Sequence, residues 1–195
     1  MLHNDVLIVK NYWPSAALLS VLICSLSNAE SQQPSPFFNQ AGYRTSHYRS
    51  PTPASVIGGD VISTTALRHL IQSKNPEPIL INVLPLDTFQ GVYTQASSEP
   101  QIPSSYWLAN VGKGDLNMLW MEYFEHYLKT LRGQRPEAPI VFYCKADCWM
   151  SWNAVTRAHS LGYQNLYWYA EGIDGWRETN LPLVLGRPEP IAPFL

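Results

Sequence analysis

The chain has 195 residues, with 13 Lys and Arg against 15 Asp and Glu. That near-neutral balance gives no electrostatic reason to bind nucleic acid or an anionic membrane surface. With 46 % hydrophobic and 14 % charged residues, the length suits one domain with a buried core plus extra segments.

Residues 1–29 read as a signal peptide. Lys10 precedes the apolar run AALLSVLICSL, Ala16 to Leu26, and the small residues Ser27 to Ala29 suit cleavage before Glu30. The run is shorter than the roughly 20 residues a bilayer span needs. A retained N-terminal anchor is the alternative. Ile23 is too bulky for the position before a lipoprotein cysteine, so Cys24 is expected to leave with the signal. The mature chain then carries two cysteines, Cys144 and Cys148, in an oxidising compartment, with no membrane attachment.

Residues 30–53 form a polar leader with Pro34, Pro36, Pro51 and Pro53. Its aromatics, Phe37, Phe38, Tyr43 and Tyr48, are expected to dock it on the domain of residues 54–195. Within that domain, Ser63 is placed to cap a helix over Thr64 to Gln72, with Leu67, Leu70 and Ile71 on one face. PILINVL, Pro78 to Leu84, reads as a strand covered on both sides, and Ser105 to Ala109 as another. Asp115 is placed to cap a helix whose apolar residues run at helical spacing from Leu116 to Leu131, with Gly133 as its stop. PIVFY, Pro139 to Tyr143, is a further buried strand. A helix from about Ser151 to Leu161, ended by Gly162, and a strand LYWY, Leu166 to Tyr169, follow. Helices alternating with apolar strands predict an α/β fold with a mainly parallel central sheet.

The segment YCKADCWMSW, Tyr143 to Trp152, carries the chemistry. Cys144 falls where a strand ends and a helix is about to begin. The carboxyl ends of parallel strands are where ligands bind, and a helix start stabilises a thiolate or bound anion. Lys145 adds positive charge. Other readings stay open. Two cysteines four apart can form a local disulfide, which closes too small a loop to stabilise much. A thioredoxin-type site has two intervening residues, whereas here there are three. A c-type haem needs histidine where Trp149 stands, and a structural zinc needs four ligands. A metal clip through Cys144, Cys148 and Asp147 is the weakest option; Asp147 is more simply a loop residue helping the helix start. Asp174, in GIDGW, reads as a turn residue between Gly172 and Gly175. No cofactor is expected.

The stretch from Pro139 to Val184 resembles the last third of a rhodanese-like domain. Cys144 ends a strand, a helix and Gly162 follow, then the strand Leu166 to Tyr169, Gly172 to Trp176, and Leu181-Pro182. ILINVLPLDTFQ and IPSSYWL are similar to the upstream rhodanese segments. GYRTSHYRSPTP, YCKADCWMSWNA and YWYAEGIDGW more narrowly resemble the PQQ-dependent catabolism-associated CXXCW motif proteins. The broad resemblance implies a three-layer rhodanese-like fold and Cys144 as a sulfur-accepting nucleophile; Cys148, unusual inside such a loop, is expected to resolve or protect it. The same resemblance implies that Lys145, Ala146, Asp147 and Trp149 face a small sulfur-containing anion. The narrow one implies a periplasmic setting beside a quinoprotein alcohol dehydrogenase or a c-type cytochrome. Asn82 stands where rhodaneses carry aspartate, no arginine follows it, and Trp149 stands at a position usually held by arginine, so Lys145 alone is a thin supply of charge for thiosulfate. Two alternatives remain. One is a non-catalytic accessory or maturation partner anchored through Trp149, Trp152, Trp168 and Trp176. The other is a thiol–disulfide redox protein.

Overall fold

Four runs of almost uncharged residues build the centre of the fold, and the helices follow from what those runs leave to cover. The computed structural model describes residues 36–89, 92–93 and 98–191; the signal peptide reading and the first part of the leader lie outside them. In chain order the elements are β1 (Asp60–Val61), α1 (Thr64–Ser73), β2 (Ile79–Asn82), β3 (Thr88–Phe89), β4 (Val92–Tyr93), β5 (Glu99–Gln101) and β6 (Ser105–Trp107). Then come α2 (Met118–Gln134), β7 (Ile140–Tyr143), α3 (Trp149–Ser160), β8 (Leu166–Tyr169), α4 (Gly172–Glu178) and β9 (Val184–Gly186).

Five strands form one parallel sheet in the order β1-β8-β7-β2-β6. The register sets Ile79 beside Ile140, and Tyr143 beside Tyr169. Every residue of β2 and β7 is buried, as an unbroken apolar run requires when both faces are covered. Alternate side chains then go to opposite cores. Ile79, Ile81, Ile140, Phe142 and Trp168 join Tyr123, Phe124, Leu128 and Val155 of α2 and α3. Leu80, Val141, Tyr143 and Tyr169 join Leu67 of α1 and Trp176 of α4. The result is the three-layer α/β architecture expected. Two small antiparallel pairs, β3–β4 and β5–β9, lie outside the sheet.

Ser63 caps α1, accepting the Ala66 N–H at 3.3 Å. The other local expectations shift. Asn117, not Asp115, caps α2 by accepting the Trp120 N–H at 3.1 Å. Asp115 accepts instead from the Asn39 side chain at 2.8 Å. The helix continues through Gly133, because burial of Leu128 and Leu131 outweighs the local cost of a helical glycine. α3 starts two residues early, at Trp149, whose N–H is already taken by the Tyr48 carbonyl at 2.9 Å. GIDGW is helical rather than a turn, with Ile173 and Trp176 buried at helical spacing.

The leader docks along the start of α3. Arg49 forms a β-bridge with Cys148, Ser50 N–H donates to the Asp147 carbonyl, and the Trp149 and Trp152 indoles donate to the carbonyls of Pro51 and Ser55. Asn153, fully buried, clasps Arg44 through both its N–H and its carbonyl. The Arg44 guanidinium lies over the rings of Phe37, Phe38 and Trp149 at 4.6, 5.4 and 4.9 Å.

Candidate functional site

β7 delivers Cys144 directly after its last residue, Tyr143, whose hydroxyl is locked between Ser105 and the Ile102 N–H. The loop then turns back so that Cys148 becomes the N-cap of α3. Asp147 makes the turn by adopting a left-handed conformation, φ 49°. The far wall is α4. The Ile173 N–H donates to the Cys144 carbonyl at 2.9 Å. Gly172 sits at φ 57°, and a Cβ there would lie 2.6 Å from both the Cys144 oxygen and the Lys145 carbonyl carbon. A side chain would therefore push α4 off the loop.

The two sulfurs are 2.6 Å apart, with Cys144 2 % and Cys148 3 % exposed. Either thiol can donate, and the surroundings decide which keeps the proton. Burial pushes the Cys144 thiol well above its ordinary value. Cys148 is lowered to about 7, chiefly by accepting the Cys144 hydrogen bond, and further by the Met150, Lys145 and Ser151 N–H groups. It makes no side-chain cap bond of normal geometry, yet it sits at the positive end of the helix. The surroundings thus favour ionisation at Cys148 over Cys144.

Cys144, not Cys148, opens on a cavity of about 130 Å³ lined also by Asn82, Leu84, Glu99, Pro100, Lys145, Ile173, Asp174 and Arg177. Asn82 accepts the Leu84 N–H at 3.0 Å, so a neutral side chain holds the turn after β2. Asp174 accepts the Ala146 N–H at 3.0 Å, and pairs with Arg177 at 3.3 Å and Arg49 at 3.8 Å. A roomier groove of about 290 Å³, beside Tyr43 and Arg157, holds no thiol, and its arginine is already donating to three carbonyls.

Of the residues singled out from sequence, Cys144 and Lys145 line the cavity, and Cys148 contacts Cys144 without lining it. Ala146 serves through its N–H. The Asp147 side chain is exposed and its carbonyl is held by Ser50, while Trp149 lies in the core against Phe38 and Trp152. Arg49 and Arg177 supply charge beyond Lys145. Arg177 is visible once GIDGW is read as a helix, since it falls three residues after Asp174. Arg49 has no local signal, because it reaches the loop only through leader docking. The tryptophans proposed as partner anchors are buried: Trp149, Trp152, Trp168 and Trp176 are all below one-tenth exposed. Among the described residues, no group of three or more His, Cys, Asp and Glu is placed to hold a metal ion, and no helix is long and apolar enough to cross a membrane.

The chain has structural neighbours. A thiosulfate sulfurtransferase from Pseudomonas aeruginosa matches 67 % of the chain at 11 % identity and a TM-score of 0.48; the chain spans 21 % of that protein's length. A polysulfide-sulfur transferase homodimer from Wolinella succinogenes matches 65 % of the chain and 79 % of its own, at 22 % identity and a TM-score of 0.42. A full-length protein from Lactobacillus plantarum matches 65 % of the chain and 88 % of its own, at 14 % identity and a TM-score of 0.45. No curated protein matches. The profile of the rhodanese-like domain matches residues 65–179, more than half the chain and the whole of the cysteine loop with its flanking strand and helices, and the chain belongs to the rhodanese-like domain family.

Proposed function

We propose that the protein accepts a sulfur atom on Cys144 and releases it by closing a disulfide with Cys148. The observation that carries this reading is the placement of the two sulfurs: Cys144 lines the cavity, Cys148 does not, and the two sulfurs are 2.6 Å apart. Cys144 gives its proton to the Cys148 thiolate as it attacks the outer sulfur of the donor. A sulfur–sulfur bond forms on Cys144, the donor's bond breaks, and the donor leaves as a thiolate or sulfite. Cys148 then attacks the Cys144 sulfur, giving the disulfide and one hydrogen sulfide. A thiol acceptor or reductant restores the pair.

The setting proposed is the periplasm, after removal of residues 1–29, beside a quinoprotein alcohol dehydrogenase or its c-type cytochrome. Support for it is the resemblance of YCKADCWMSWNA and YWYAEGIDGW to proteins of PQQ-dependent catabolism. Burial of the tryptophans removes the motive for an aromatic docking patch, so a non-catalytic partner role has less support than the thiol chemistry.

The test is sulfide release by the reduced, mature protein given thiosulfate or a small organic persulfide, with a thiol reductant present to restore the pair. Activity above background that disappears in Cys144→Ser supports the reading. Background rates with both donors, with Cys144 shown to be reduced, contradict it.

A further inference from the structure

The loop beside Cys144 already holds an oxyanion, the carboxylate of Asp174. Its Oδ2 accepts the Ala146 N–H at 3.0 Å, Arg177 donates to Oδ1 at 3.3 Å, and the Arg49 guanidinium stands 3.8 Å from Oδ2. A loop amide with two guanidinium groups is the set of donors that the sulfonate end of thiosulfate needs. The next donors along the chain are also engaged. The Trp149 N–H goes to the Tyr48 carbonyl, and the first amides of α3 face the Cys148 sulfur. Of the other charged groups lining the cavity, Lys145 and Glu99 are opposite in sign. An incoming dianion therefore meets a like charge in the place where it would dock.

We propose that Asp174 determines donor specificity: its carboxylate fills the oxyanion place beside Cys144 and favours organic persulfides over thiosulfate. This rests on the sulfur-accepting reading of Cys144. With a persulfide R–S–SH, Cys144 bonds to the outer sulfur as the donor S–S bond breaks, and RS⁻ leaves and takes a proton from solvent. No oxyanion develops, so the occupied donors are not needed. With thiosulfate the leaving group is sulfite, whose charge must be held by the groups that Asp174 occupies.

The test is the rate at which reduced protein is loaded, read by intact mass as the sum of the one-sulfur adduct and the disulfide that follows it, from thiosulfate and from a small alkyl persulfide. The wild type is expected to load from the persulfide at least about tenfold faster. Asp174→Asn keeps an oxygen for the Ala146 N–H and removes the charge, and is expected to raise the thiosulfate-to-persulfide rate ratio by about tenfold or more. Equal wild-type rates overturn the inference without reference to any variant, and so does an unchanged or lower ratio in a folded Asp174→Asn protein. Failure of both donors to load the wild type overturns the sulfur-accepting reading, and this inference with it; persulfide loading with an unchanged ratio removes only the role of Asp174.

Discussion

The sulfurs of Cys144 and Cys148 touch at 2.6 Å from opposite ends of one loop, yet only Cys144 reaches the cavity. In the sulfur-accepting chemistry proposed above, one thiol meets the donor, and the other takes its proton and resolves the persulfide. Removing Cys148 should leave loading possible and stop release. Cys148→Ser is expected to accumulate a species heavier by one sulfur atom, stable to gel filtration, whereas the wild type passes on to disulfide. Accumulation in the wild type, or rapid sulfide release by the variant, would show that Cys148 does not resolve.

The pH dependence follows from the same contact. Below about 7, Cys148 holds its own proton and Cys144 has no base. Loading should rise with pH through about 7 and level off above it. In Cys148→Ser the midpoint should move above the ordinary thiol value, because burial raises Cys144. Stability carries the matching sign. The depressed Cys148 value contributes stability that is present at alkaline pH, above the unfolded thiol value, and is lost as pH falls through about 7, whereas buried Cys144 opposes ionisation above the thiol range. A thermal melt of reduced protein against pH, compared with Cys148→Ser, reads this directly; the wild type alone should lose stability on acidification through neutrality.

Asn153 ties the leader to α3. It accepts the Arg44 N–H at 2.9 Å and donates to the carbonyls of Arg44 and Gly112 at 2.8 and 2.9 Å, with no exposure to solvent. Asn153→Ala leaves three buried backbone groups without partners, and should cost about 2–4 kcal/mol in chemical denaturation. A loss well under ~1 kcal/mol would mean the leader is not held there.

Gly172 lets α4 start against the cysteine loop. Gly172→Ala must place a Cβ within 2.6 Å of the Cys144 carbonyl oxygen at φ 57°. We expect destabilisation of about 1–3 kcal/mol and a loss of loading larger than the loss of fold explains. Wild-type loading in the variant would show that the loop does not need α4 at this distance.

The sheet and its order of elements were legible because β2, β7 and β8 are short apolar runs between helical patterns, and burial on both faces demands that composition. The position of Cys144 was legible for the same reason: it follows a buried strand. Helix ends were less so. Asp115 and Asn117 are both good caps, and the choice depends on Asn39 reaching Asp115 from the leader. GIDGW carries two glycines and reads as a turn, but tertiary burial of Ile173 and Trp176 outweighs that local preference. The charge around the cavity was hidden most deeply. Arg49 and Asp174 lie 125 positions apart in the chain and meet only because Arg49 pairs with Cys148. Trp149 likewise looks like a loop residue in sequence, and its burial is explained by Phe38, Arg44 and Pro51, all from the leader.

The most direct test of the sulfur-accepting claim is the intact mass of reduced mature protein after one equivalent of a small organic persulfide, with sulfide assayed in the same sample. A transient gain of one sulfur atom is expected, then a species lacking two protons, with about one sulfide released per chain; Cys144→Ser should do neither. An unchanged mass in the wild type, or the same gain in Cys144→Ser, would contradict that claim.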